Sequence, residues 1–178
     1  MFGFLCWGLS LPAPVAGGER LTANNKMALV QSASYSLVDG LQRVQEHFDG
    51  KVMFAHISRH QEQGVYKIGI VVDEKLKIVL FNPHSGKILA VNSAEKFWHW
   101  KRFFSSKEEE QFLQTPTDLL KAIQRVLDQQ RGVVIGAFFK LEEGVHFYRV
   151  VLWADQKKQM WIVDSDTEVA FLAKKNHE

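Results

Sequence analysis

The stretch FNPHSGKIL, Phe81 to Leu89, decides how the rest of the chain is read. Pro83 fixes φ and removes a backbone donor, and Gly86 admits backbone angles that other residues resist. An apolar segment therefore ends, turns sharply and restarts. Eighty-two residues further on, IVDSDTEVAFL (Ile162 to Leu172) repeats the order of apolar run, Asp in place of Asn, polar turn and apolar run, but without Pro or Gly.

Sliding the chain against itself by 82 residues aligns 35–92 with 117–174 without a gap and gives ten identities. Leu37 meets Leu119, Gln42-Arg43-Val44 meets Gln124-Arg125-Val126, Ala55 meets Ala137 and Tyr66 meets Tyr148. Apolar residues face apolar residues at Leu41/Ile123, Ile57/Phe139, Ile68/Val150 and Ile70/Leu152. Ten identities are modest, but a gapless register with matched apolar positions predicts a tandem of two related units.

Each unit reads the same way. Ser36 is a candidate N-cap, and Leu37, Leu41, Val44 and Phe48 recur at helical spacing until Asp49-Gly50. KVMFAHI, VYKIGIVV and IVLFN then read as strands, with Tyr66, Ile68, Ile70 and Val72 on one face. In the second unit Thr117 or Asp118 caps a helix carrying Leu120, Ile123, Val126 and Leu127, and strands follow at about 133–140, 146–153 and 159–164. The expected fold class is α+β, as two tandem units of one helix plus a three-stranded antiparallel sheet. Units of about 60 residues lie near the lower limit for an independent core, so shared surface is expected.

Three segments lie outside these units. The N-terminal MFGFLCWGLSLPAPVAGG is uncharged and apolar, then rich in small residues, which reads as the core and cleavage region of a secretory signal over 1–26. It lacks a basic n-region, and Met27 as the initiator is the alternative. Residues 93–116 read as an aromatic, charged, helical linker in which Trp98, His99 and Trp100 are candidate binding residues. Cys6 is the only cysteine, so an intramolecular disulfide is excluded. A net charge of +2, with 24% charged and 46% apolar residues, makes no electrostatic case for nucleic acid.

The order helix, strand, strand, strand ending in Asn-Pro-His-Ser-Gly-Lys-Ile-Leu resembles the PepSY domain. Asn82, Pro83, Ser85, Gly86 and Ile88 match that family's turn, and the strand centred on Tyr66 is similar to its counterpart there. The resemblance covers about 34–92 well and 115–173 weakly. Asp164 is retained in the second copy, but Ser165 replaces Pro and Glu168 replaces Gly, so that copy is degenerate. The resemblance implies a non-catalytic, exported module, periplasmic or secreted, that engages a protein partner at the cell envelope, such as a peptidase it inhibits. The alternative it implies is an envelope accessory or sensor linked to iron or metal uptake, with the linker at the membrane surface. A start at Met27 would make the protein cytoplasmic.

The remaining chemistry is thin. The seven histidines show no metal-ligand spacing and no cysteine joins them, so neither a metal site nor a cofactor is expected. No nucleophile elbow surrounds Ser34, Ser36, Ser85 or Ser93, and HSGK lacks the spacing of a phosphate loop. Asp164 and Asp166 lie two apart in a turn, where carboxylates more often satisfy the turn's own N–H groups than act as a hydrolytic pair. A small hydrolase ranks last among the readings, and Asn82, Pro83, Ser85 and Gly86 are read as structural.

Overall fold

A computed structural model of the chain describes residues 23–61, 63–93 and 111–173. Among the described residues, helices α1 (Ala23–Ser32), α2 (Leu37–His47) and α3 (Leu119–Gln129) and a helical turn at 111–114 accompany eight strands. The strands are β1 (Lys51–His60), β2 (Gln63–Val72), β3 (Lys75–Phe81), β4 (Ile88–Ser93), β5 (Val133–Glu142), β6 (Val145–Ala154), β7 (Lys157–Asp164) and β8 (Ala170–Leu172). α1 crosses the boundary placed at residue 26 from the sequence, and residues 1–22 lie outside the described part.

All eight strands form one antiparallel sheet in the order β4-β3-β2-β1-β5-β6-β7-β8. The class is α+β, but the expected count of three strands per helix is too low. Each turn after β3 and β7 sends the chain back along the strand it has just left, so 88–93 and 170–172 pair as outer strands. The sheet is also continuous, because β1 pairs with β5. There Ala55 lies opposite Ala137, flanked by Phe54 with Phe138 and His56 with Gly136. Moving by 82 residues exchanges these flanking pairs, so a local two-fold axis passes between the two alanines. The offset also relates α2 to α3, the bulge between Val52 and Phe54 to that between Val134 and Gly136, and the left-handed pair Asp73-Glu74 to Asp155-Gln156.

Helix termini follow local chemistry. Ser36 and Asp39 form a reciprocal capping box, with Asp39 N donating to the Ser36 hydroxyl (3.1 Å) and Ser36 N donating to the Asp39 carboxylate (2.7 Å). Asp118, rather than Thr117, caps α3 through Lys121 N at 2.8 Å. One stripe of each helix (Leu37, Leu41, Val44; Leu119, Ile123, Val126) is buried against the same face of the sheet. Tyr66 and Tyr148 stand on that face, fully buried, and their hydroxyls donate to the carbonyls of Tyr35 (2.7 Å) and Thr117 (2.6 Å) just before each helix. Burial pushes both phenols up to about 12. Each Tyr thus fixes where its helix enters.

The Phe81–Leu89 turn and its counterpart share one backbone plan. Gly86 N donates to Asn82 O, and Glu168 N to Asp164 O (2.9 and 3.1 Å). Asn82 Oδ1 accepts from His84 N and Ser85 N; Asp164 Oδ1 accepts from Asp166 N and Thr167 N. Pro83 is buried, and its carbonyl accepts from Ser34 N and Tyr35 N, docking the entry of α2. Gly86 and Glu168 both have positive φ, 68° and 58°. What differs is the neighbour. A Cβ on Gly86 would lie 2.7 Å from Tyr35 Cε2, because the Tyr35 ring covers that position, with Arg43 stacked on the ring at 4.5 Å. The residue aligned with Tyr35 is Thr117, which is small enough to admit a side chain at 168. Glu168 uses the space to pair with Arg125, the counterpart of Arg43, and accepts from the Thr117 hydroxyl. An aromatic ring plus Gly in one half is exchanged for Thr plus Glu in the other.

Candidate functional site

Trp98, His99 and Trp100 lie in 94–110, outside the described residues. Asn82, Pro83, Ser85 and Gly86 are placed in the turn just described. The carboxylate of Asp164 is engaged by that turn's counterpart, and its hydrogen bonds from Thr167 and Asp166 hold it below the usual Asp range. Among the described residues no three of His, Cys, Asp and Glu come together as a metal site, and no helix is long and apolar enough to cross a membrane.

The face of the sheet opposite α2 and α3 offers more. Strand alternation gives its membership: Phe138 and Lys140 on β5, Phe147, Arg149, Val151 and Trp153 on β6, and Lys158, Met160 and Ile162 on β7. None of these side chains is fully buried, and Met160 is 39% exposed; Phe171 on the edge strand β8 is 51% exposed. In the first half the corresponding face carries Val65, Val71, Leu76 and Ile78, all buried. The two halves therefore differ most where neither is covered by its own helix. One buries this face, and the other presents an apolar, aromatic and cationic surface to solvent.

A groove of 410 Å³ opens on this face where the halves meet, lined by Lys26, His56, Ile135, Gly136, Phe138, Arg149, Val151, Lys158 and Met160. The strands set it up simply. Gly136 pairs with His56 and has no side chain to fill the space, while Phe54 and Phe138 flank the imidazole at 5.7 and 5.6 Å between centroids. Burial, with Lys67 and Lys26 nearby, lowers the His56 pKa to about 4, so the ring is neutral at pH 7. Its Nδ1 is buried without a hydrogen-bond partner. Arg149 lies over the Phe138 ring at 5.8 Å, and burial first and Arg149 second lower the amine pKa of Lys140. Lys26, Arg149 and Lys158 thus line one groove. Sequence reading passed over this face because a repeat offset draws attention to matching positions. The signal was present as an unbroken run of large residues, VHFYRVVLW, where a sheet with one wet face alternates.

No family model matches the chain, and no curated protein matches it in sequence. Among solved structures it is similar to the crystal structure of a "putative lipoprotein" from Clostridium difficile 630, at 15% identity and a TM-score of 0.42, over 83% of this chain and 97% of that one.

Proposed function

We propose that the chain is a non-catalytic, exported module that binds a polypeptide partner at the cell envelope, built from two related PepSY-like units of which the second is degenerate. A peptidase is the partner class that the resemblance favours. The shared 82-residue offset of helices, strands, bulges and tyrosine pins supports the two-unit reading. The observation that carries the binding reading is the apolar and cationic face of β5–β8, with Met160 and Phe171 exposed and Trp153 partly exposed. β8, an edge strand of the sheet among the described residues, offers main-chain groups to an extended segment.

Affinity capture from an envelope extract tests the proposal, with the native chain as bait beside Met160→Asp and Trp153→Ser. A polypeptide retained by the native chain and by Gln124→Ala, on the exposed surface of α3, is expected to be lost from both open-face variants. Equal retention by all four baits would refute the placement.

A further inference from the structure

We infer that the groove beside Gly136 seats an aromatic side chain of the polypeptide partner, a phenyl ring above all. The inference rests on the polypeptide-binding reading for the chain that carries the ring. Its own basis is internal, because the first half contains the same site already filled. The local two-fold carries Phe54 onto Gly136, Gly69 onto Val151, His56 onto Phe138 and Ile78 onto Met160. In the first half Phe54 lies opposite Gly69, and its ring covers that glycine so closely that a Cβ there would fall 2.1 Å from Phe54 Cε1. Phe54 is 4% exposed in that position. In the second half Gly136 lies opposite Val151 and brings no ring, and both residues line the 410 Å³ groove.

The rings show the same break. Phe54, His56 and Phe138 form a row, with successive centroids 5.7 and 5.6 Å apart. The two-fold exchanges His56 with Phe138, so a symmetric row has a fourth ring on the far side of Phe138, where Gly136 supplies none. Ile135, Val151 and Met160 give that place apolar walls and Phe138 an aromatic one, which suits a flat ring. Val151 carries the side chain that Gly69 lacks, so the floor is higher than beneath Phe54 and the seat favours a ring arriving from outside. Aromatic anchors held in pockets of this kind dominate the energetics of binding surfaces.

Methyl NMR on the full chain tests this, with two acetylated, amidated peptides as probes: Thr-Val-Phe-Val-Thr and its Ala counterpart. The Phe peptide is expected to bind at least about tenfold more tightly, the gain from burying a phenyl ring. Its ring current should also shift the Val151 and Met160 methyl resonances. Gly136→Phe rebuilds the first-half arrangement from within. Its Cβ meets Phe138 Cε2 at 3.1 Å and His56 Cβ at 3.5 Å, which a small movement of the Phe138 ring relieves. This variant is expected to lose the preference for the Phe peptide. Met160→Ala, which removes a wall at an exposed position, should weaken the preference several-fold and decides the matter if Gly136→Phe does not fold. Equal affinity for the two peptides, or an undiminished preference in the folded variants, would overturn the seat and leave the binding reading intact. Failure of the Phe peptide to bind would also overturn it, whereas loss of the binding reading would show as unchanged capture by the open-face variants.

Discussion

Gly86→Glu places in the first half the residue that the second half already carries, and the structure predicts that it fails there for one identifiable reason. The position has φ of 68°, so any side chain costs about 1–2 kcal/mol in backbone energy. The new Cβ would also lie 2.7 Å from Tyr35 Cε2 and 2.8 Å from Cζ. That ring cannot yield freely, because it meets Phe81 edge-on at 6.3 Å and carries Arg43 on its face. Displacing it adds about 1–3 kcal/mol, as for other overpacked sites. Tyr35→Thr removes the obstruction, and Gly86→Glu introduced in that background should cost only the backbone share, with its carboxylate free to reach Arg43 as Glu168 reaches Arg125. A double-mutant cycle from urea unfolding should therefore give a favourable coupling of about 1–3 kcal/mol. Additivity within about 0.5 kcal/mol would show that the Tyr35 ring is not what holds position 86 to glycine.

Three further outcomes follow from particular contacts. Tyr148→Phe leaves the buried Thr117 carbonyl without its 2.6 Å donor and should cost about 1–3 kcal/mol by urea unfolding, more than Tyr66→Phe, whose bond is only part-buried. The imidazole of His56, with its pKa lowered to about 4 against about 6.5 in the unfolded chain, binds its proton later than the unfolded state does. Stability should thus fall as pH drops from 6.5 to 4, by about 3 kcal/mol from this group, and level off below; His56→Phe should flatten that part of the urea-midpoint profile. The Lys51 ammonium donates to the carbonyls of Phe112 (2.8 Å) and Thr115 (2.6 Å), closing the helical turn at 111–114 onto β1. Lys51→Met should speed amide hydrogen exchange at 111–115 while leaving β6 and β7 unchanged.

Much of the fold could be read in the sequence because it rests on local rules. Ser36 and Asp118 begin helices, helical spacing marks the buried stripes, and alternation around Tyr66 marks the core face. The 82-residue offset carried this reading across a region with few identities, and it reaches even to the matching bulges. The outer strands were missed because the apolar runs that restart after each turn were read as part of the turn motif, and β8 is only three residues long. The joining of the halves through Ala55 and Ala137 was hidden for another reason. Nothing in either strand distinguishes pairing with a neighbour from ending a sheet; only the small residues at the axis hint at close approach. The groove depends on that same pairing, since His56 and Arg149 belong to different halves. Proximity created by a sheet join is not a spacing in the chain.

The central claim is that the uncovered face of β5–β8 meets a polypeptide, and site-specific photocrosslinking tests it most directly. A photoreactive residue at Met160 or Phe171 on that face, and at Gln124 on the outer surface of α3, is exposed to envelope extract and irradiated. The account predicts a discrete crosslinked polypeptide from 160 and 171 and none from 124. Crosslinks from 124 with none from either sheet position would contradict it.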